Sequence, residues 1–133
     1  MPLNNIEILN QRNRDFMEIM KEVINDLGDE MLTIKRIDLY KKVLYHPTPS
    51  YYVSERQASR VVSRILRGLP IKHSGTKLAM YNNIAKKVRT KMNNGMDFNN
   101  ALIQTISNSA PRFYLTLSSA KITYYSLLKE GKG

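Results

Sequence analysis

In the string SERQASRVVSRILRG, Ser54 to Gly68, arginines recur at Arg56, Arg60, Arg64 and Arg67. Spacings of four, four and three put them on one side of an α-helix, as a stripe along about three turns. Each guanidinium is a planar fork of donors that matches phosphate oxygens or the edge of guanine. Gln57, Ser59 and Ser63 flank the stripe and add contacts of the kind that read adenine or hold phosphate. Ala58, Val61, Val62, Ile65 and Leu66 fall on the opposite face and are assigned to the core. Glu55 is the only acid on this helix, so the arginines repel one another and lack internal partners. An external anion would relieve that repulsion.

Other residue types point away from catalysis. There is no cysteine, which excludes disulfides, thiolate metal sites and thiol chemistry. His46 and His73 stand 27 residues apart without a carboxylate pattern that makes a metal site, and are read as loop residues. HSGTK, His73 to Lys77, lacks the glycine and lysine spacing of a phosphate loop and reads as a helix cap, with Lys77 available for an occasional phosphate contact. The acids are too scattered for a paired-carboxylate site. The reading is a non-enzymatic protein with no metal and no cofactor.

Charge supports the choice of partner. The 133 residues carry 21 Lys and Arg against 11 Asp and Glu, a net +10. Residues 1–30 hold three bases and seven acids, residues 31–96 fourteen and two, and residues 97–133 four and two. A field concentrated in the middle favours nucleic acid over a membrane surface, since no basic stretch is also a lipid-facing amphipath. Lys35, Arg36, Lys41, Lys42, Lys86, Lys87, Arg89 and Lys91 would supply backbone attraction around the stripe. No window approaches the length of an apolar membrane span, and no signal peptide is legible, so a cytoplasmic location is expected.

Six helices are expected to position these groups. The first runs from about Asn5 to Leu27 with Leu9, Phe16, Met20, Val23 and Leu27 at helical spacing and Gly28 as its stop. Thr33 is expected to cap a second, with Leu32 and Ile37 as a hydrophobic staple, ending near Tyr45 before Pro47. Ser54 with Gln57 is a capping box for the third, which ends at Gly68. Thr76 is expected to cap a fourth through Met92, with Tyr81, Ile84, Val88 and Met92 as its apolar stripe and Gly95 closing it. Asp97 caps the fifth, and Thr116 with Ser119 opens the sixth, which runs to about Lys129.

The loop before the third helix, PSYYVSERQASR, has a near copy, PRFYLTLSSAK, before the sixth. Pro49 matches Pro111, Tyr52 matches Tyr114, Ser54 matches Thr116, Ala58 matches Ala120 and Leu66 matches Leu128, each 62 residues on. The caps Thr33 and Asp97 stand 64 apart, implying a two-residue insertion. The expected fold is therefore all-α: two duplicated three-helix units, residues 5–68 and 76–130, as one globular domain over 1–133 with pseudo-twofold symmetry. The loop aromatics are expected to plug the core, and the last helix of each unit to cross over its own first two. Where the copies differ, the arginine positions become Ser118, Ile122, Ser126 and Lys129, which assigns the anion to the first unit.

A three-helix unit whose last helix is basic and follows a capped turn resembles helix-turn-helix DNA-binding domains, over residues 33–67 and more weakly over 97–129. The aromatic string resembles one in small uncharacterised proteins of gut bacteria and their phages or mobile elements. The expectation is a protein that binds duplex DNA, in preference to RNA, through the basic helix 54–67. The alternative is a phage or mobile-element interaction module that self-associates, as a homodimer, through its acidic first helix and basic middle.

Overall fold

The computed structural model describes residues 4–131. It contains α1 (Asn5–Leu27), a 3₁₀ turn (Gly28–Leu32), α2 (Arg36–Leu44), α3 (Glu55–Leu66), α4 (Gly75–Asn93), α5 (Phe98–Ile106) and α6 (Leu117–Gly131). Among the described residues the only β-type pairing is one isolated antiparallel bridge between Thr48 and Ala110.

Local chemistry sets most of the helix ends. Asn4 accepts from the backbone N–H of Glu7, Ser54 from that of Gln57, Asp97 from that of Asn100, and Thr116 from that of Ser119. Each satisfies one N–H that the first turn leaves without a partner. Gly28 takes φ 53° as α1 ends, a left-handed value that a side chain would strain, and its N–H closes on Ile24. Two expected caps are corrected. Thr33 closes the 3₁₀ turn, with both its N–H and its hydroxyl donating to the Glu30 carbonyl, and α2 starts after an extended Lys35 instead. Leu32, 86% exposed, and Ile37, also exposed, form no staple. Thr76 lies inside α4, which follows an extended Ser74. With Lys35 in place of Thr33, the caps of α2 and α5 stand 62 residues apart, at 35 and 97, so the inferred two-residue insertion disappears.

Two apolar cores result, and their membership departs from the chain order. One gathers Phe16, Met20 and Val23 of α1, Leu39, Tyr40 and Val43 of α2, Ala120 of α6 and the loop residue Phe113. The other gathers Ala58, Val61 and Val62 of α3, Tyr81, Ile84 and Val88 of α4, Ala101 and Leu102 of α5 and the loop residue Tyr51. The third helix of each unit therefore packs with the first two of the other unit rather than with its own, and α2 and α3 do not touch. Connector length permits the crossing. Tyr45 to Val53 can span up to about 30 Å when extended, and Pro47 and Pro49 favour that form. A short turn would have returned α3 onto α2.

The two connectors meet where they cross. Thr48 and Ala110 exchange backbone hydrogen bonds at 2.9 Å in both directions. The N–H of Tyr51 donates to the Ile106 carbonyl at 3.0 Å, and that of Phe113 donates to the Leu44 carbonyl at 3.0 Å. Residues 48 and 110, 51 and 113, and 44 and 106 are each 62 apart, so every contact has its mate under one shift. Side chains follow the same rule: Tyr51 stacks on Tyr114 and Tyr52 on Phe113, both pairs at 12° between ring planes. Tyr51 is 4% exposed and Phe113 fully buried, so each connector sends one aromatic ring into one core and the next ring toward the other.

Candidate nucleic-acid interface

Burial of Ala58, Val61 and Val62 against α4 and α5 fixes how α3 is turned, and its opposite side faces solvent. Arg56, Arg60, Arg64 and Arg67 are all exposed there, over about 16 Å of helix. Among the described residues no carboxylate lies within ion-pair distance of any of them. Glu55 stands in the first turn of α3, where a negative charge suits the helix dipole, and pairs with none of the four. The Nε of Arg64 donates to the Pro70 carbonyl at 3.0 Å, which tethers the following loop along the stripe. Gln57, Ser59 and Ser63 are half-buried beside it, and the backbone N–H of Gln57 is taken by the Ser54 cap.

A shallow groove of about 390 Å³ runs along the stripe, with Gln57, Arg60 and Arg64 on one wall and Lys72 and His73 on the other. Lys72 thus joins the site although the sequence did not single it out, since only the fold of the loop brings it beside Arg60. The ring of His73 packs against Tyr81 with centroids 5.0 Å apart, and His46 lies near Glu22 at 3.8 Å. No group of three or more His, Asp or Glu side chains among the described residues is placed to hold a metal ion.

The supporting cations divide into three sets. Lys86 and Arg89 are exposed on α4, in the same core as α3. Lys87 and Lys91, expected on the same basic face, are half-buried and used within the fold. The Lys87 ammonium donates to the Ser109 carbonyl at 3.3 Å and lies 5.2 Å from the centre of the Tyr51 ring. Lys91 donates to the Thr105 hydroxyl at 2.8 Å, and burial, with the nearby Lys87 charge, pushes its pKa down. Lys35, at the cap of α2, and Arg36, Lys41 and Lys42 on α2 are exposed; α2 belongs to the other core, and Arg36 donates to the Tyr125 hydroxyl at 2.8 Å. Tyr51 and Tyr52 of the connector are engaged within the fold. Tyr52 donates to Asp15 at 2.6 Å, and burial, followed by that bond, pushes its pKa up. Burial alone pushes Tyr51 up to about 12.

On α6 the equivalent positions Ser118, Ile122, Ser126 and Lys129 are also exposed. The fold presents both third helices outward, and only α3 carries the arginines. No protein-family model matches the chain, and no curated protein or solved structure matches it either. None of the helices described is long and apolar enough to cross a membrane.

Proposed function

We propose that this chain is a non-enzymatic, cytoplasmic protein that binds duplex DNA through the exposed face of α3. The observation that carries the reading is the set of four arginines, outward-facing along one helix and unpaired with any carboxylate among the described residues. A major groove is wide enough to admit an α-helix, and guanidinium forks suit both its guanine edges and the flanking phosphates. The resemblance to helix-turn-helix domains enters in altered form. The trihelical core that carries the basic helix is made of α4, α5 and α3, so the partner that α2 would provide in a consecutive arrangement is α5 here. Lys72 extends the positive surface beside it, and Lys86 and Arg89 are exposed on α4 of the same core.

Fluorescence anisotropy with random duplex DNA at two salt concentrations tests the reading. Arg60→Ala with Arg64→Ala is expected to weaken binding far more than Lys121→Ala with Lys129→Ala, and equal small effects would reject the stripe. Competition with structured RNA decides between the two nucleic acids.

A second reading draws on the acidic side of α1. Glu7, Glu18, Glu22 and Asp26 are exposed, and none of them meets an arginine of α3 within the chain. Pairing between copies, as in a phage or mobile-element interaction module, would use both surfaces. Light scattering across salt concentrations separates the readings: a salt-sensitive oligomer indifferent to DNA supports the second.

A further inference from the structure

Between α1 and the first turns of α3 and α4 lies a cleft of about 380 Å³, and a smaller one of about 240 Å³ adjoins it. Arg12, Tyr52, Lys77 and Met80 line both, so they form one continuous recess. Arg56 stands at the outer part and Arg112, from the second connector, at the inner part. Four cationic side chains thus line the recess, and no Asp or Glu does.

Arg12 is the residue that the rest of the fold leaves unexplained. Its Nε is buried and has no hydrogen-bond partner among the described residues, and its only side-chain bond gives one terminal N–H to Asn13 at 3.1 Å. Asp15, three residues on along α1, is occupied by the Tyr52 hydroxyl at 2.6 Å and the Gln11 amide at 2.9 Å, and forms no ion pair with Arg12. A half-buried guanidinium whose Nε has no acceptor is costly, and burial accordingly pushes the Arg12 pKa down. A ligand that brings oxygens and negative charge would remove that cost, and bidentate pairing to phosphate uses the free donors well. The exposed Leu9 of α1, which lines the same cleft, gives such a ligand an apolar surface to lie against.

We infer that this recess binds a phosphate monoester, with Arg12 as the inner donor and Arg56 and Lys77 closing on it from the mouth. The phosphate belongs either to a free nucleotide or to a 5′-phosphorylated strand end. The site shares Arg56 with the α3 stripe but does not require the stripe to bind DNA.

Calorimetric titration of the full chain with inorganic phosphate, adenosine 5′-monophosphate and adenosine tests it. One equivalent of the nucleotide is expected to bind with a Kd of about 1 mM or tighter, and adenosine without its phosphate is expected not to bind. Arg12→Gln and Lys77→Gln should each weaken the nucleotide at least about tenfold, as loss of a charged hydrogen bond does, while Lys121→Ala should not. Lys77 is exposed, so its replacement keeps the fold and decides the question if Arg12→Gln proves unstable. The inference is overturned if phosphate and nucleotide show no saturable uptake, or if Lys77→Gln binds the nucleotide as tightly as the parent. A duplex with and without 5′-phosphates names the source: tighter binding of the phosphorylated duplex assigns the site to a strand end, and equal binding assigns it to a free nucleotide. Loss of duplex binding in the Arg60→Ala, Arg64→Ala variant reports on the stripe alone, so the two readings fail separately.

Discussion

Dividing the chain after Leu69 tests the exchange of third helices directly. Fragment 1–69 keeps α1, α2 and α3, and fragment 70–133 keeps α4, α5 and α6, so each loses the helix that completes its own core. In the second fragment, α4 and α5 are deprived of Tyr51, Val61 and Val62, buried in the intact protein, and of the partly buried Ile65 and Leu66. At roughly 2 kcal/mol for each fully buried side chain and half that for the others, the loss is about 8 kcal/mol. The whole stability of a small protein is about 5–15 kcal/mol, so neither fragment is expected to fold alone. Mixed, they should recover helical circular dichroism as a one-to-one complex by light scattering. Homodimers of fragment 1–69 should be weaker, because Val62 would stand where Tyr124 makes its edge contact with Tyr40 at 5.8 Å between ring centres. The reasoning is refuted if either fragment alone is a helical monomer with its own sharp urea transition, since α3 or α6 would then have closed onto its own unit.

Further outcomes follow from the same geometry. If the stripe meets phosphates, replacing Arg60 and Arg64 should reduce the slope of log K against log salt by about 2 units in titrations by anisotropy. Phe113→Ala, at a ring stacked on Tyr52 and 5.6 Å from Phe16, should cost about 3–5 kcal/mol in urea unfolding, whereas Leu32→Ala at an exposed position should cost under about 0.5 kcal/mol. Ser54→Ala and Asp97→Ala should each lose about 1 kcal/mol as caps, and Thr33→Ala distinctly less, because Thr33 caps no α-helix. Tyr51 is held neutral by burial, with its pKa raised to about 12, so the stability it contributes is complete below pH about 10 and declines as the pH rises through the folded value. Ultraviolet titration should show it ionising late in the intact fold, together with alkaline unfolding, and ionisation at the ordinary tyrosine pKa in a folded chain would contradict this.

Sequence carried the fold class, the helix count and the outward stripe, because these depend on local rules. Ser54 and Asp97 could be read as caps since each bonds a backbone N–H three residues on, and spacing alone put Ala58 and Val62 opposite Arg60 and Arg64. Thr33 misled because a hydroxyl donates to a preceding carbonyl as readily as it accepts from a following N–H. The exchange was not legible: Ala58, Val61, Val62 and Ile65 form an apolar face that periodicity would allow against either pair of helices. Connector length and the reciprocal bonds between residues 48 and 110 decide between them, and only the first is visible in a sequence. Arg12 escaped notice for a related reason. It stands between the polar Gln11 and Asn13, and Tyr52, which lines the recess with it, is forty residues away along the chain.

The crossed connectors also bear on how the molecule melts. Two apolar clusters of similar size would ordinarily be free to come apart at separate temperatures, yet here neither can lose its third helix without pulling on the segments that tie down Tyr51 and Phe113 in both. Scanning calorimetry should accordingly record one endotherm, and a destabilising change in either cluster should move the whole transition, as though the lock on one room were also the hinge of the next.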